Sequence, residues 1–333
     1  MLSGALQSLW QRFRHLFGGE TSGTSRRYRA TEAQIIEIEA GVGPAWGTLS
    51  SLTAHPTDPV RLFAVTDQDS PPPRIIEIEV SGGRARAVAQ IDLEFAHDAS
   101  ISNVETLDLE GLAMKPGGGF WLASEGSKGN LPPNVLIEVD AAGRATRIVH
   151  LPHEVQADVR RQGFEGVALV AGGAGSGLLA VAFQSGFKSD PDSVTRIGLV
   201  DIATGTWRFW RYPVEEFKDD AYTGLSDILH VGDQRFAMIE RDGRAKDTSV
   251  KWVTVVDLGS VPGAAPGTMP PLVAKRRVAD LAQLFVVEDR KVEKEIEGLT
   301  IAADGEVYAI TDNDNERATV LIRLGQATSL FGR

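Results

Sequence analysis

One short pattern returns five times along this chain, and it rules out most ways a chain of 333 residues can fold. The copies are Thr48-Leu49-Ser50-Ser51-Leu52, Leu109-Glu110-Gly111-Leu112-Ala113, Phe164-Glu165-Gly166-Val167-Ala168, Gly224-Leu225-Ser226-Asp227-Ile228 and Ile296-Glu297-Gly298-Leu299-Thr300. The Glu/Ser position recurs at intervals of 60, 55, 61 and 71 residues. After each copy and a turn comes an apolar run closing on a polar or acidic residue. These runs end at Asp67, Glu125, Gln184, Glu240 and Asp312. Self-similarity at such a period marks a solenoid, an array or a propeller.

Each interval holds four short strands. The second shows all of them, over 109–114, 119–124, 135–140 and 145–151, with Ala141-Ala142-Gly143 as a hairpin turn. The last repeat is one strand short, while the alternating segment Gln34-Ile35-Ile36-Glu37-Ile38-Glu39 stands unused before the first. Placing that segment at the outside of the final blade closes a ring and protects its edges. The reading is an all-β chain, a β-propeller of five four-stranded blades closed by an N-terminal strand. A six-bladed ring is the alternative, its extra blade lying in 280–294, which reads instead as helical or irregular. The propeller is expected to span residues 29–333 as one domain.

Residues 1–28 differ in character. Leu2, Leu6, Leu9, Trp10, Phe13, Leu16 and Phe17 fall at helical spacing, with Arg12, Arg14 and His15 among them and no acid before Glu20. Such a segment either packs on the main domain or makes peripheral membrane contact through residues 2–17. A Gly/Ser-rich linker follows at 18–25. The uninterrupted apolar region and small-residue cleavage site of a secretory signal are missing.

Composition then narrows the function. A formal net charge of −11 disfavours a nucleic-acid partner, which needs a basic face. With no cysteine, disulfides and thiolate metal sites are excluded. The nucleophile elbow, the His-Glu-x-x-His helix and the phosphate-cradling glycine loop are all absent from the sequence.

The repeat itself supplies the candidate site. The Glu/Ser position begins each first strand and the acidic position ends each antiparallel second strand, so both reach one face of the ring. That gathers Glu110, Glu165 and Glu297 with Asp67, Glu125, Glu240 and Asp312, interleaved with Ser50, Ser226 and Gln184. Crowded carboxylates repel unless protons or cations compensate. Hard oxygen ligands with no cysteine and little histidine match Ca²⁺ better than zinc. The structural alternative is that Glu-Gly is turn grammar, with glycine allowing close strand approach. Asp312-Asn313-Asp314-Asn315-Glu316 begins like a calcium loop, but Arg317 stands where that loop needs glycine. His97-Asp98 lies in the loop entering the second blade and is a further candidate for the channel mouth.

The Glu-Gly-Leu/Val-Ala cores resemble the family described as esterase-like activity of phytase. So do Ser226-Asp227 followed by Glu240-Arg241-Asp242, and Glu297-Gly298 followed by Thr311-Asp312-Asn313-Asp314. The resemblance covers roughly residues 45–325. It implies a β-propeller, hydrolysis of phosphoester or carboxylic ester substrates, and bacterial proteins that are often periplasmic or exported. The expectation is therefore a Ca²⁺-dependent hydrolase acting on a small ester at the acidic channel mouth. Glu240, Arg241 and Asp312 are its catalytic candidates, and the seven carboxylates named above are its metal-ligand candidates. The competing expectation is a non-catalytic calcium-binding propeller that serves as an interaction module.

Overall fold

A computed structural model describes residues 33–39, 43–67, 70–95, 107–125, 133–160, 162–170, 177–215, 222–293, 295–312 and 318–332. The amphipathic segment 2–17, His97-Asp98 and residues 313–317 of the acidic run lie outside these residues.

The described chain is all-β apart from short helices, and its strands fall into five consecutive meanders. The first comprises β2 (Leu49–Ala54), β3 (Arg61–Thr66), β4 (Arg74–Ser81) and β5 (Arg84–Asp92). The second comprises β6 (Asp108–Met114), β7 (Phe120–Glu125), β8 (Val135–Val139) and β9 (Ala145–His150). In the third are β10 (Phe164–Leu169), β11 (Leu178–Phe183), β12 (Val194–Asp201) and β13 (Thr206–Pro213). The fourth has β14 (Thr223–Gly232), β15 (Arg235–Asp242), β16 (Lys251–Asp257) and β17 (Lys275–Asp280). The fifth has only β18 (Glu295–Ile301), β19 (Glu306–Asp312) and β20 (Val320–Gln326). The segment that offered room for a sixth blade instead carries a helix, Leu281–Val287, with Leu281, Ala282, Leu284 and Phe285 buried.

Strand β1 (Gln34–Glu39) completes the fifth meander. Its residues Gln34–Glu37 pair antiparallel with β20, as the sequence leads one to expect. Its second pairing leaves no trace in the residue pattern. Ile38 and Glu39 run parallel to Ala85 and Arg86 of β5, so the first and fifth meanders form one eight-stranded sheet. The other three meanders are separate four-stranded sheets.

The strands are apolar on both faces because each sheet is covered twice. On β3, Leu62 and Ala64 enter the core shared with the fifth meander, while Phe63 and Val65 enter the core shared with the second. That is the two-residue alternation of a strand with both sides buried. Equivalent cores join the second to the third meander through Trp121, Phe164 and Phe183, the third to the fourth through Ala180, Leu225 and Met238, and the fourth to the fifth through Ile239, Leu281 and Ile296. First strands also touch in cyclic order, β2 to β6 to β10 to β14 to β18 and back to β2.

How the first strands meet explains the Glu-Gly motif. In β6, β10, β14 and β18 the Glu/Ser position is the extra residue of a β-bulge: Glu110, Glu165, Ser226 and Glu297. The following position lies against the next first strand. A Cβ at Gly111 would sit 2.9 Å from Val167 N, one at Gly166 would sit 2.6 Å from Ile228 N, and one at Gly298 would sit 2.5 Å from Leu52 N. Only glycine permits that approach. At the two remaining junctions a side chain takes its place. Ser51, at φ 54°, accepts a bond from Leu112 N (3.0 Å), and Asp227 accepts one from Leu299 N (2.7 Å).

Candidate metal centre on the acidic face

Bulges fix which side chains share this face. Counting from the bulge, three positions per meander are equivalent: the bulge residue, the residue two before it, and that residue's partner at the end of the second strand. In the second meander these are Glu110, Asp108 and Glu125, with Asp108 opposite Glu125. In the fifth they are Glu297, Glu295 and Asp312, with Glu295 opposite Asp312. The third supplies Glu165, Gly163 and Gln184. In the first, Thr48 donates to Asp67 at the matching strand ends, but Ser50 pairs with Val65 and the irregularity falls after it, so Ser50 matches the bulged residues in sequence position only.

In the fourth meander the partner position holds Arg241, opposite Gly224, and not Glu240. A one-residue offset in a strand turns a side chain to the other face. Glu240 accordingly points away from the acidic group, into the side shared with the third meander. There it accepts bonds from Tyr212 Oη (2.6 Å), from the backbone N–H of Glu215 (2.7 Å) and from Lys275 Nζ (2.7 Å to each oxygen). Its bonding capacity is used within the fold. Of the other expected residues, Glu110, Glu125, Glu165 and Glu297 come together electrostatically, as shown below, and Asp67 and Asp312 hold the equivalent register positions in their own meanders.

The tightest grouping is Asp108, Glu110 and Glu125, each with a carboxylate oxygen within 4.8 Å of the others. Burial pushes Glu110 well above the ordinary carboxylate range, and the charges of Glu165, Asp108, Glu125 and Glu297 push it further. Burial and then Asp108 raise Glu125 to about 8, opposed by the backbone N–H of Gly163. Glu165 is only 1% exposed and is raised well above its ordinary value by burial, then by Glu125 and Glu297. Its Oε1 is buried without a hydrogen-bond partner, and so is Glu297 Oε2.

Arg241 is the counter-charge. It donates from Nη2 to Glu297 Oε1 and lies 3.7 Å from Glu295 Oε1. Burial opposes its charge, but Glu297, Glu295 and Glu165 outweigh that and raise its pKa further. Beneath it, the fully buried Lys251 lies 3.0 Å from Asp242 Oδ1, and burial lowers Lys251 to about 8 despite that partner. Of the two serines expected among the acids, Ser226 is engaged elsewhere, its Oγ donating to Ile296 O at 2.8 Å, and Ser50 is buried in its strand opposite Val65.

Asp108 and Glu295 escaped the sequence reading because they fall just outside the repeated core, two residues before its glutamate; the register of Glu125 and Asp312 was the signal that finds them. Tyr222 escaped it too. The residue is 45% exposed, but its hydroxyl would lie 2.6 Å from a Cβ on Gly224, and desolvation of that hydroxyl followed by the charge of Glu165 raises its pKa.

The profile of the Phytase-like family, described as esterase-like activity of phytase, matches residues 44–315. The chain belongs to that family. No curated protein matches its sequence. Among solved structures, it resembles a candidate glycoside hydrolase from Parabacteroides distasonis at 10% identity and TM-score 0.50, covering 85% of this chain and 89% of the other. That likeness is one of fold alone. An aldose sugar dehydrogenase from Streptomyces coelicolor, in its PQQ-bound form, is similar at 9% identity and TM-score 0.39, over 88% and 98% of the two chains. A Leishmania major protein is similar at 10% identity and TM-score 0.43, over 90% and 92%.

Proposed function

We propose that this member of the Phytase-like family is a five-bladed propeller whose acidic face binds Ca²⁺ and there hydrolyses a phosphoester or carboxylic ester. The cyclic contacts of the five first strands and the five shared cores support the ring. The observation that carries the chemistry is the Asp108–Glu110–Glu125 group beside the buried, unpartnered oxygen of Glu165.

The donors fit the cation. All are hard oxygens, and oxygens at roughly 2.3–2.6 Å from one calcium ion stand at most about 5 Å apart, as these do. Three carboxylates this close, in a half-buried setting, are costly without a positive charge among them. Bound there, a divalent cation polarises an ester oxygen and lowers the pKa of a coordinated water. The chain's residues then divide the work. Asp108, Glu110 and Glu125 hold the cation. Glu165, whose buried Oε1 has no hydrogen-bond partner, would accept the proton of the attacking water once a bound cation offsets the neighbouring charges that favour its neutral form. Arg241, fixed by Glu297 and Glu295, offers a positive charge to the oxyanion that develops.

The test is hydrolysis of p-nitrophenyl phosphate and p-nitrophenyl acetate by chelator-stripped protein. Turnover of at least one should appear with Ca²⁺, vanish with chelator, and fall about 100-fold or more in Glu110→Gln, the scale expected when a group that organises the transition state is lost. Calcium that stabilises the protein while neither ester is turned over would favour the non-catalytic calcium-binding module.

A further inference from the structure

Two meanders carry acids at all three of these register positions, but among the described residues only Asp108, Glu110 and Glu125 bring carboxylate oxygens within 4.8 Å of one another. Asp108, Glu110 and Glu125 occupy, in the second meander, the register positions that Glu295, Glu297 and Asp312 occupy in the fifth. The first, third and fourth meanders are not acidic at all three positions: they carry Thr48, Ser50 and Asp67; Gly163, Glu165 and Gln184; and Gly224, Ser226 and Arg241. The two acidic triads differ in that spacing and in the cation each meets: Arg241 stands among the acids of the fifth meander.

Arg241 closes the partner position of the fourth meander and reaches forward onto the fifth, pairing with Glu297 and Glu295. The corresponding residue of the first meander, which would reach toward the second, is Asp67, and it is engaged with Thr48. The charge of Arg241 also reaches Glu125 of the second meander, but its ion pairs are with Glu297 and Glu295 of the fifth. Arg241 does not exhaust the acids it meets. Glu297 is 5% exposed and its Oε2 has no hydrogen-bond partner.

We propose that the acidic face holds two equivalent cation positions, one at Asp108, Glu110 and Glu125 that takes a divalent metal, and one at Glu295, Glu297 and Asp312 that the side chain of Arg241 fills permanently. The inference rests on the metal reading above and extends it to a second site. The arrangement has a chemical consequence. A guanidinium supplies fixed charge and no exchangeable ligand position, so only one of the two positions can activate water. A bound ester meets one metal and one immobile cation. The ligand class of the second position, once vacated, is a hard divalent cation.

Titration calorimetry with Ca²⁺ alone tests this, on chelator-stripped wild-type protein, Arg241→Gln, Arg241→Lys and the double variant Arg241→Gln/Glu297→Gln. The expected stoichiometries are one ion for the wild type, two for Arg241→Gln, one for Arg241→Lys and one for the double variant. Where a stripped variant does not stay folded, metal content per chain after calcium loading and desalting gives the same readout. Arg241→Gln holding a single ion, or the wild type holding two, overturns the proposal while leaving the metal reading intact. A wild type that takes up no ion overturns both.

Discussion

At the scale of single residues, the repeated Glu-Gly pair has two separable jobs. Its glutamate is the bulged residue on the acidic face; its glycine lets neighbouring first strands touch. Gly298→Ala would drive a Cβ to 2.5 Å from Leu52 N, where backbone must move. We expect a loss of about 2 kcal/mol in urea unfolding, in the range of overpacked cores, with calcium binding retained. Glu240 marks where sequence reasoning slipped. The apolar run Phe236–Ile239 ends on Glu240, so the pattern aligns Glu240 with Asp67, Glu125 and Asp312, but the bulge at Ser226 assigns that position to Arg241. Periodicity sees a strand end; it does not see which of two adjacent residues a bulge brings round. Glu240→Gln should therefore cost about 3 kcal/mol by leaving Lys275 poorly compensated. It should leave the heat of calcium binding unchanged, whereas a lost calcium signal would return Glu240 to the metal centre.

At the scale of elements, most of the strand order was legible because each meander writes its own turn signals: Ser81-Gly82-Gly83, Ala141-Ala142-Gly143 and Thr204-Gly205 all lie between paired strands. The missing strand of the fifth meander was legible as a deficit, and Gln34–Glu39 fills it. Its parallel contact with β5 was not, since a two-residue pairing leaves no periodic trace. Strand β17 starts at Lys275, later than the apolar residues Leu272 and Val273 indicate, because that segment packs instead beside Arg211 of β13. Because β1 joins the two ends of the ring, its removal exposes the hydrogen-bonding edges of both β20 and β5. A chain lacking residues 1–28 should unfold cooperatively, and one lacking 1–42 should not. Equal cooperativity in thermal unfolding of the two would show that closure does not depend on β1.

At the scale of the whole molecule, the fold gathers acids from several meanders onto one face and answers them with a single arginine at the ring positions. Six carboxylates of that group (Asp108, Glu110, Glu125, Glu165, Glu295 and Glu297) enter the electrostatics of one another or of Arg241. The sequence showed that acids converge, since spacing alone places them. It did not show the asymmetry, which depends on Arg241 reaching across a junction that no motif encodes. Such a face is stable only if a cation or protons relieve it, and on the proposed function a cation does. Calorimetry and thermal unfolding of chelator-stripped protein in Ca²⁺ test this most directly. Binding should give a measurable heat, and calcium at about 100 times its dissociation constant should add about 2.7 kcal/mol of stability. For a protein of this size that is a rise in Tm of roughly 4 °C. Neither heat nor a shift in Tm at millimolar Ca²⁺ would mean that protons hold the acidic face together and that it is not a metal centre.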